Sequence, residues 1–254
     1  DLTPRPGCDA DYFTFESELQ LMTTTPSSNL AEMFASFGST DFLLKQSIMP
    51  VVVWGIGSDH IKCIGTASVI SCSGYLLTAA HVIMDLYESG FAAREGNQLR
   101  LNEGVYFGTF LPMNPAQGRG MYFCPIEEFR LWGEWKDSPL VTEPDKFEYL
   151  TDIAVCKIPG MPAGAAHQPL NLSLYPFAPG EMAFALGYAE MGNVSLEWVS
   201  GQPRFGVFSM EMYASVGEVM QTFSENHLRR KVPTPGPCFH FPAEIPGKVS
   251  VAPI

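Results

Sequence analysis

Positive charge is scarce in this sequence. Against 27 Asp and Glu stand 15 Lys and Arg, which leaves a net charge of −12. Such a chain repels phosphate backbones, so no nucleic-acid partner is expected. Long apolar runs are missing too. None reaches the roughly 18 residues of a membrane-crossing helix, and Asp1-Leu2-Thr3-Pro4-Arg5 lacks the charged-then-apolar layout of a signal peptide. No membrane partner is expected either. There is no repeat, no long heptad and no C-x-x-C pair among the six cysteines, Cys8, Cys63, Cys72, Cys124, Cys156 and Cys238. His60, Cys63, Cys72 and His81 have no recognised ligand spacing, so neither metal nor cofactor is expected. A zinc or redox module built on the cysteines is the outlying alternative, and it would carry stoichiometric metal.

Enough apolar sequence remains for a sizeable core, with 46% hydrophobic and 17% charged residues. Residues 1–45 read as an irregular, partly helical lead-in, with helical spacing in Ser28–Phe37 behind a serine cap. From Ile48 onward the character is short β-branched or aromatic runs between Gly and Ser: Ile48–Trp54, Lys62–Ile70, Tyr75–Thr78, Gly104–Leu111, Ile126–Trp132 and Asp152–Ile158. Ser71–Gly74 is a turn, so the runs on either side of it should form a hairpin. A Pro/Gly/Ala connection, Pro159–Pro169, leads to further strand-sized pieces, Gly180–Tyr188, Val194–Val199, Phe205–Ala214 and Glu218–Phe223. Many short strands without alternating long helices predict an all-β sandwich or pair of barrels.

Chemistry enters at Gly65–His81, which ends Leu77-Thr78-Ala79-Ala80-His81. Small residues before a histidine at a strand end let the chain pack closely while the imidazole faces a cleft. A second segment, Asp152-Ile153-Ala154-Val155-Cys156-Lys157-Ile158, puts a carboxylate at the head of an apolar run. Together these resemble the histidine and aspartate motifs of trypsin-like (chymotrypsin-family) serine peptidases. Gly180–Tyr188 is similar to the strand that opens the second barrel of that family. The likeness covers about residues 48–254 and is specific around His81 and Asp152.

The resemblance implies two antiparallel β-barrels, one over residues 46–160 with an insertion and one over 161–254, behind the 1–45 lead-in. It also implies acyl transfer on a protein or peptide substrate, with His81, Asp152 and Ser250 as catalytic residues. Ser250 lies in Pro246-Gly247-Lys248-Val249-Ser250-Val251-Ala252, the counterpart of the family's G-x-S-G-G-P. The His81-to-Asp152 interval of 71 residues exceeds the roughly 45 of chymotrypsin, and residues 86–150 supply the insertion.

The departures have physical consequences. Lys248 replaces the glycine whose N–H helps bind the oxyanion, and Val251 and Ala252 replace two more. Val249 stands where vertebrate members pair an aspartate with a freed N-terminus. The chain also ends four residues past Ser250. Either the sequence is truncated or the second barrel is incomplete, and the 254-residue chain is expected to show little or no turnover. The alternative function is an inactive relative or fragment that serves binding or structure. Many secreted relatives clamp the histidine loop with a disulfide. Val82 offers no sulfur to Cys63, so most cysteines are expected as thiols.

Overall fold

The computed structural model describes residues 15–16, 19–23, 41–117, 120–138, 145–173, 175–188, 194–199, 202–205, 208–209, 212–224 and 237–242. Most of them lie in strands: β1 (Phe15–Glu16), β2 (Leu19–Thr23), β3 (Ile48–Gly55), β4 (His60–Val69), β5 (Tyr75–Thr78), β6 (Ala92–Glu95), β7 (Gln98–Leu101), β8 (Val105–Pro112), β9 (Met121–Pro125), β10 (Glu128–Lys136), β11 (Lys146–Lys157), β12 (Met182–Tyr188), β13 (Val194–Val199), β14 (Gln202–Phe205), β15 (Phe208–Ser209), β16 (Met212–Glu218), β17 (Gln221–Phe223) and β18 (Cys238–His240). Among the described residues two α-helices interrupt them, Asp41–Ser47 and Ala80–Glu88. The chain is all-β, as its short runs predict.

The largest sheet runs β10-β11-β5-β4-β3-β8-β9. Its two end strands, β9 and β10, follow each other in the chain. At the corner between them Ile126 N–H donates to Phe107 O in β8, and Glu127 N–H donates to Lys157 O in β11. The path thus returns on itself at a two-residue corner, a layout compatible with the first of two barrels.

The continuous apolar run Ile48–Trp54 has a direct reason in this arrangement. Met49, Val51 and Val53 enter one core with Leu76, Ile83, Leu86 and Phe107. Ile48, Val52 and Trp54 face a second core with Phe110, Tyr188, Leu196 and Met212. A strand buried on both faces cannot alternate apolar with polar. Each large aliphatic or aromatic side chain so buried contributes on the order of 1.5–3 kcal/mol.

The second core joins residues before and after the 159–169 connection. Strand β13 pairs with β4 as well as with β14, and Tyr188 closes the seam. Its hydroxyl donates to Ile48 O (3.3 Å), and its N–H donates to Thr66 Oγ1 (2.8 Å). Beyond the seam lies a sheet ordered β12-β16-β2.

The structure departs from the sequence expectations in several places: strands β15, β16 (Met212–Glu218) and β17 (Gln221–Phe223) stand where Phe205–Ala214 and Glu218–Phe223 were expected. The stretch taken as an irregular lead-in contributes strands: β2 lies parallel to β16, and β1 lies parallel to β15. These are the exceptions to antiparallel pairing among the described strands. The Ser28–Phe37 helix lies outside the described residues. The strand expected from Asp152 begins earlier, at Lys146. His81 does not end a strand but sits in the first turn of the helix Ala80–Glu88, whose buried face is Ala80, Val82, Ile83, Met84 and Leu86.

That helix is seated by Gly65. A Cβ at this position would lie 2.6 Å from Val82 Cγ2 and 2.9 Å from Cγ1, closer than side chains pack. Gly65→Ala is therefore expected to lower stability by about 1–3 kcal/mol through overpacking. Val82→Ala in the same chain should recover part of that loss, so that the two changes are non-additive. Urea midpoints of the two single variants and the double variant test this. Additive losses would mean that the two residues are not in the contact described.

Candidate functional site

Strand β11 pairs antiparallel with β5, matching Ala154 to Thr78 and Val155 to Leu77. Continued past the end of β5, that register brings Asp152 level with Ala80, beside His81. The side-chain direction comes from a bulge. Where β10 passes from Leu131 to Gly133, β11 passes from Ala154 to Tyr149, so several residues of β11 oppose Trp132 alone. Across it the in–out alternation of β11 fails: Thr151 and Asp152 are both half-buried, while Leu150 and Ile153 are exposed. A bulge re-aims side chains in this way. Here it turns Asp152 off the outer face toward the helix.

The carboxylate then makes two contacts with one residue. His81 N–H donates to Asp152 Oδ1 (3.0 Å), and His81 Nδ1 lies 2.8 Å from Asp152 Oδ2. The first contact is a helix cap supplied from another element. The N-cap position is Ala79, which has no side-chain acceptor, and the first turn of the helix carries no acid of its own. Asp152 fills both gaps, accepting an otherwise orphaned amide and placing negative charge at the positive end of the helix. The second contact requires a proton on Nδ1 in the neutral ring, which fixes the tautomer that leaves the lone pair on Nε2.

The pair is half open to water, with side-chain exposures of 47% for His81 and 30% for Asp152. The bond from Asp152 raises the His81 pKa above its ordinary 6.5. Burial pushes it the other way, and the charges of Asp152, Asp85 and Glu88 add to the rise. Next to the ring is a cavity of about 290 Å³, whose wall includes Cys63, Val82, Asp85 and Glu88. Lys62 reaches across to Asp85 (3.1 Å) and to Ser89 Oγ (2.9 Å). The hydroxyl of Tyr149, on β11 two residues before Thr151, is pushed up to about 12 by burial and by the charges of Glu88 and Asp152.

His81 and Asp152 are thus brought together as their motifs imply. Ser250, with Lys248, Val251 and Ala252, lies outside the described residues. The helix that presents His81 was missed, although Val82, Ile83 and Leu86 carry its apolar spacing. Cys63, Cys72, Cys124, Cys156 and Cys238 are thiols. Burial pushes Cys124 and Cys156 up to about 12, which makes them poor thiolates for metal or redox work. Among the described residues no three His, Cys, Asp or Glu side chains converge on a common point for a metal ion.

No protein-family model matches the chain, and no curated protein matches it in sequence. Among solved structures it is similar to Deg5, at 14% identity over 89% of this chain and 79% of that one, with a TM-score of 0.44. It is also similar to the HtrA-type protease AlgW solved with a decapeptide, at 15% identity over 81% of this chain and 51% of AlgW, with a TM-score of 0.41. A third is neuropsin, a serine protease expressed in the limbic system of mouse brain, at 10% identity over 70% of this chain and 60% of that one, with a TM-score of 0.35. At TM-scores below 0.5 these likenesses say nothing about the site itself.

The raised His81 pKa has a definite sign. A histidine whose folded pKa exceeds its unfolded value adds stability below pH 6.5, and that stability is lost as pH rises through the folded value. Asp152→Asn removes the acceptor charge, so the His81 midpoint should fall below that of the unaltered protein, and the acid-side stability gain should shrink. Titration of the His81 ring by NMR reads this directly. An unchanged midpoint would show that the 2.8 Å contact has no electrostatic weight.

Proposed function

We propose that this chain is a hydrolase of peptide bonds of the serine-peptidase type, in which His81 is the general base, Asp152 orients it and Ser250 is the nucleophile. The observation that supports this reading is the double grip of Asp152 on His81. A carboxylate that fixes the Nδ1–H tautomer and stabilises the imidazolium is what a serine nucleophile's base requires. Ser250 is assigned by its motif and its place in the chain order.

The steps follow from these roles. Ser250 Oγ attacks the carbonyl carbon of a protein or peptide substrate as its proton passes to His81 Nε2. The new O–C bond forms and the carbonyl becomes an oxyanion. On collapse the C–N bond breaks, and the leaving amine takes the proton from Nε2. Water then repeats the sequence on the acyl-enzyme and restores the Ser250 hydroxyl. Asp152 stays ionised throughout. No cofactor takes part.

A second reading, binding without turnover, is favoured by Lys248, Val251 and Ala252 in the nucleophile segment. Backbone angles that glycine adopts freely cost a side chain about 1–3 kcal/mol when strained. Losing one oxyanion donor lowers turnover about 10²–10³-fold. Both readings are tested with a fluorophosphonate probe and a broad peptide-substrate library. The peptidase reading expects slow labelling that disappears in Ser250→Ala and in His81→Ala. It expects Lys248→Gly to raise turnover by roughly 10²–10³-fold. Activity should rise with pH through a midpoint above 6.5, since only neutral His81 accepts the proton. If neither the unaltered chain nor Lys248→Gly labels, the binding reading stands.

A further inference from the structure

Away from His81 lies a second and larger cavity of about 520 Å³, which shares no residue with the first. Its long wall is the consecutive run Glu127–Gly133, nearly all of it in β10. Facing it is the tip of the β6–β7 hairpin at Asn97, Gln98 and Leu99. Strand β10 is the last in its sheet. It pairs with β11 on one side and, among the described residues, with no strand on the other. In an antiparallel pair, alternate residues turn N–H and C=O away from the partner, so the open side of β10 carries a row of main-chain donors and acceptors.

The burial of β10 alternates without a break. Phe129, Leu131 and Trp135 are half-buried, while Glu128, Arg130, Trp132 and Glu134 are exposed. Residues of both kinds line the cavity together with Phe147 of β11, so it borders both the open edge of β10 and its half-buried face. The edge is also held in place. Arg94 Nη1 bonds both Asp137 (2.7 Å) and Asp145 (2.6 Å) beyond the end of β10, and its guanidinium lies 4.8 Å from the centre of the Trp135 ring.

We propose that this edge accepts an extended peptide segment as an added strand, with apolar side chains at alternate positions and charged ones between them. Period-two geometry dictates that pattern. Every second side chain of the guest lies on the same face as Phe129, Leu131 and Trp135 and is apolar. The others lie on the face of Glu128, Arg130 and Trp132; Glu128 and Arg130 call for a cation and an anion in that order along β10, while Glu134 already accepts from Lys136 Nζ (3.1 Å). The guest is bound as a strand and not cut, so the proposal stands apart from the peptidase reading.

The test uses the full chain with His81→Ala, so that no cleavage enters, and fluorescence anisotropy of labelled Lys-Val-Thr-Val-Glu-Val-Lys. Saturable binding is expected. N-methylation of the amides that face β10 should weaken it about tenfold or more, while methylation of the alternate set leaves it unchanged. Glu128→Lys combined with Arg130→Glu should lower affinity for this peptide and raise it for Lys-Val-Thr-Val-Lys-Val-Glu, whose last two charges are exchanged to match. Both positions are exposed, and an unchanged far-UV spectrum confirms that the variant is folded. No saturation, equal effects of the two methylation sets, or a charge-reversed variant that binds both peptides as before would overturn the proposal.

Discussion

One carboxylate holds this candidate site together. Asp152 accepts the backbone amide of His81 through Oδ1 and lies against the imidazole through Oδ2. The first bond places the helix that carries the histidine, and the second sets the ring's tautomer. A helix whose N-cap is Ala79 has no side chain of its own for the amide, so its start and the orientation of its histidine depend on the same distant residue. Structural and chemical demands on Asp152 therefore coincide, and its substitution would disturb both.

The surrounding fold can be read as the means of bringing that carboxylate to that helix. The β5–β11 register sets the level, and the bulge opposite Trp132 sets the direction. Bare backbone at Gly65 lets Val82 sit down on β4. Thr78, three residues before His81, donates to Thr66 O, and Thr66 in turn accepts the Tyr188 amide through Oγ1. A chain of buried contacts thus runs from the end of β12, in the second half, to the strand that leads into His81.

Much of this was legible in the sequence. Ile48–Trp54, Tyr75–Thr78 and Val194–Val199 are strands because β-branched and aromatic residues there fill two-sided or half-buried positions. His81 and Asp152 were legible through their motifs. What could not be read depends on distant partners. Nothing local says that Leu19–Thr23 will lie parallel to β16, since its pairing is decided more than 180 residues away. The apolar stretch from Asp152 hid the fact that β11 begins at Lys146. Phe147 and Tyr149 alternate with Lys146, Glu148 and Leu150, the period of a strand with one face covered, and they read as strand only once β10 is beside them. The helix after Ala80 follows a motif usually read for its histidine alone, and its cap lies in another part of the chain.

The shared grip of Asp152 is open to a single spectrum. A ¹H–¹⁵N correlation of protein labelled at histidine reports both the His81 backbone amide and its ring Nδ1–H. In the unaltered chain both protons should be hydrogen-bonded and slow to exchange, and Asp152→Ala should speed the exchange of both together. If Asp152→Ala left either proton as protected as before, the carboxylate would not be the common anchor of the helix and the imidazole.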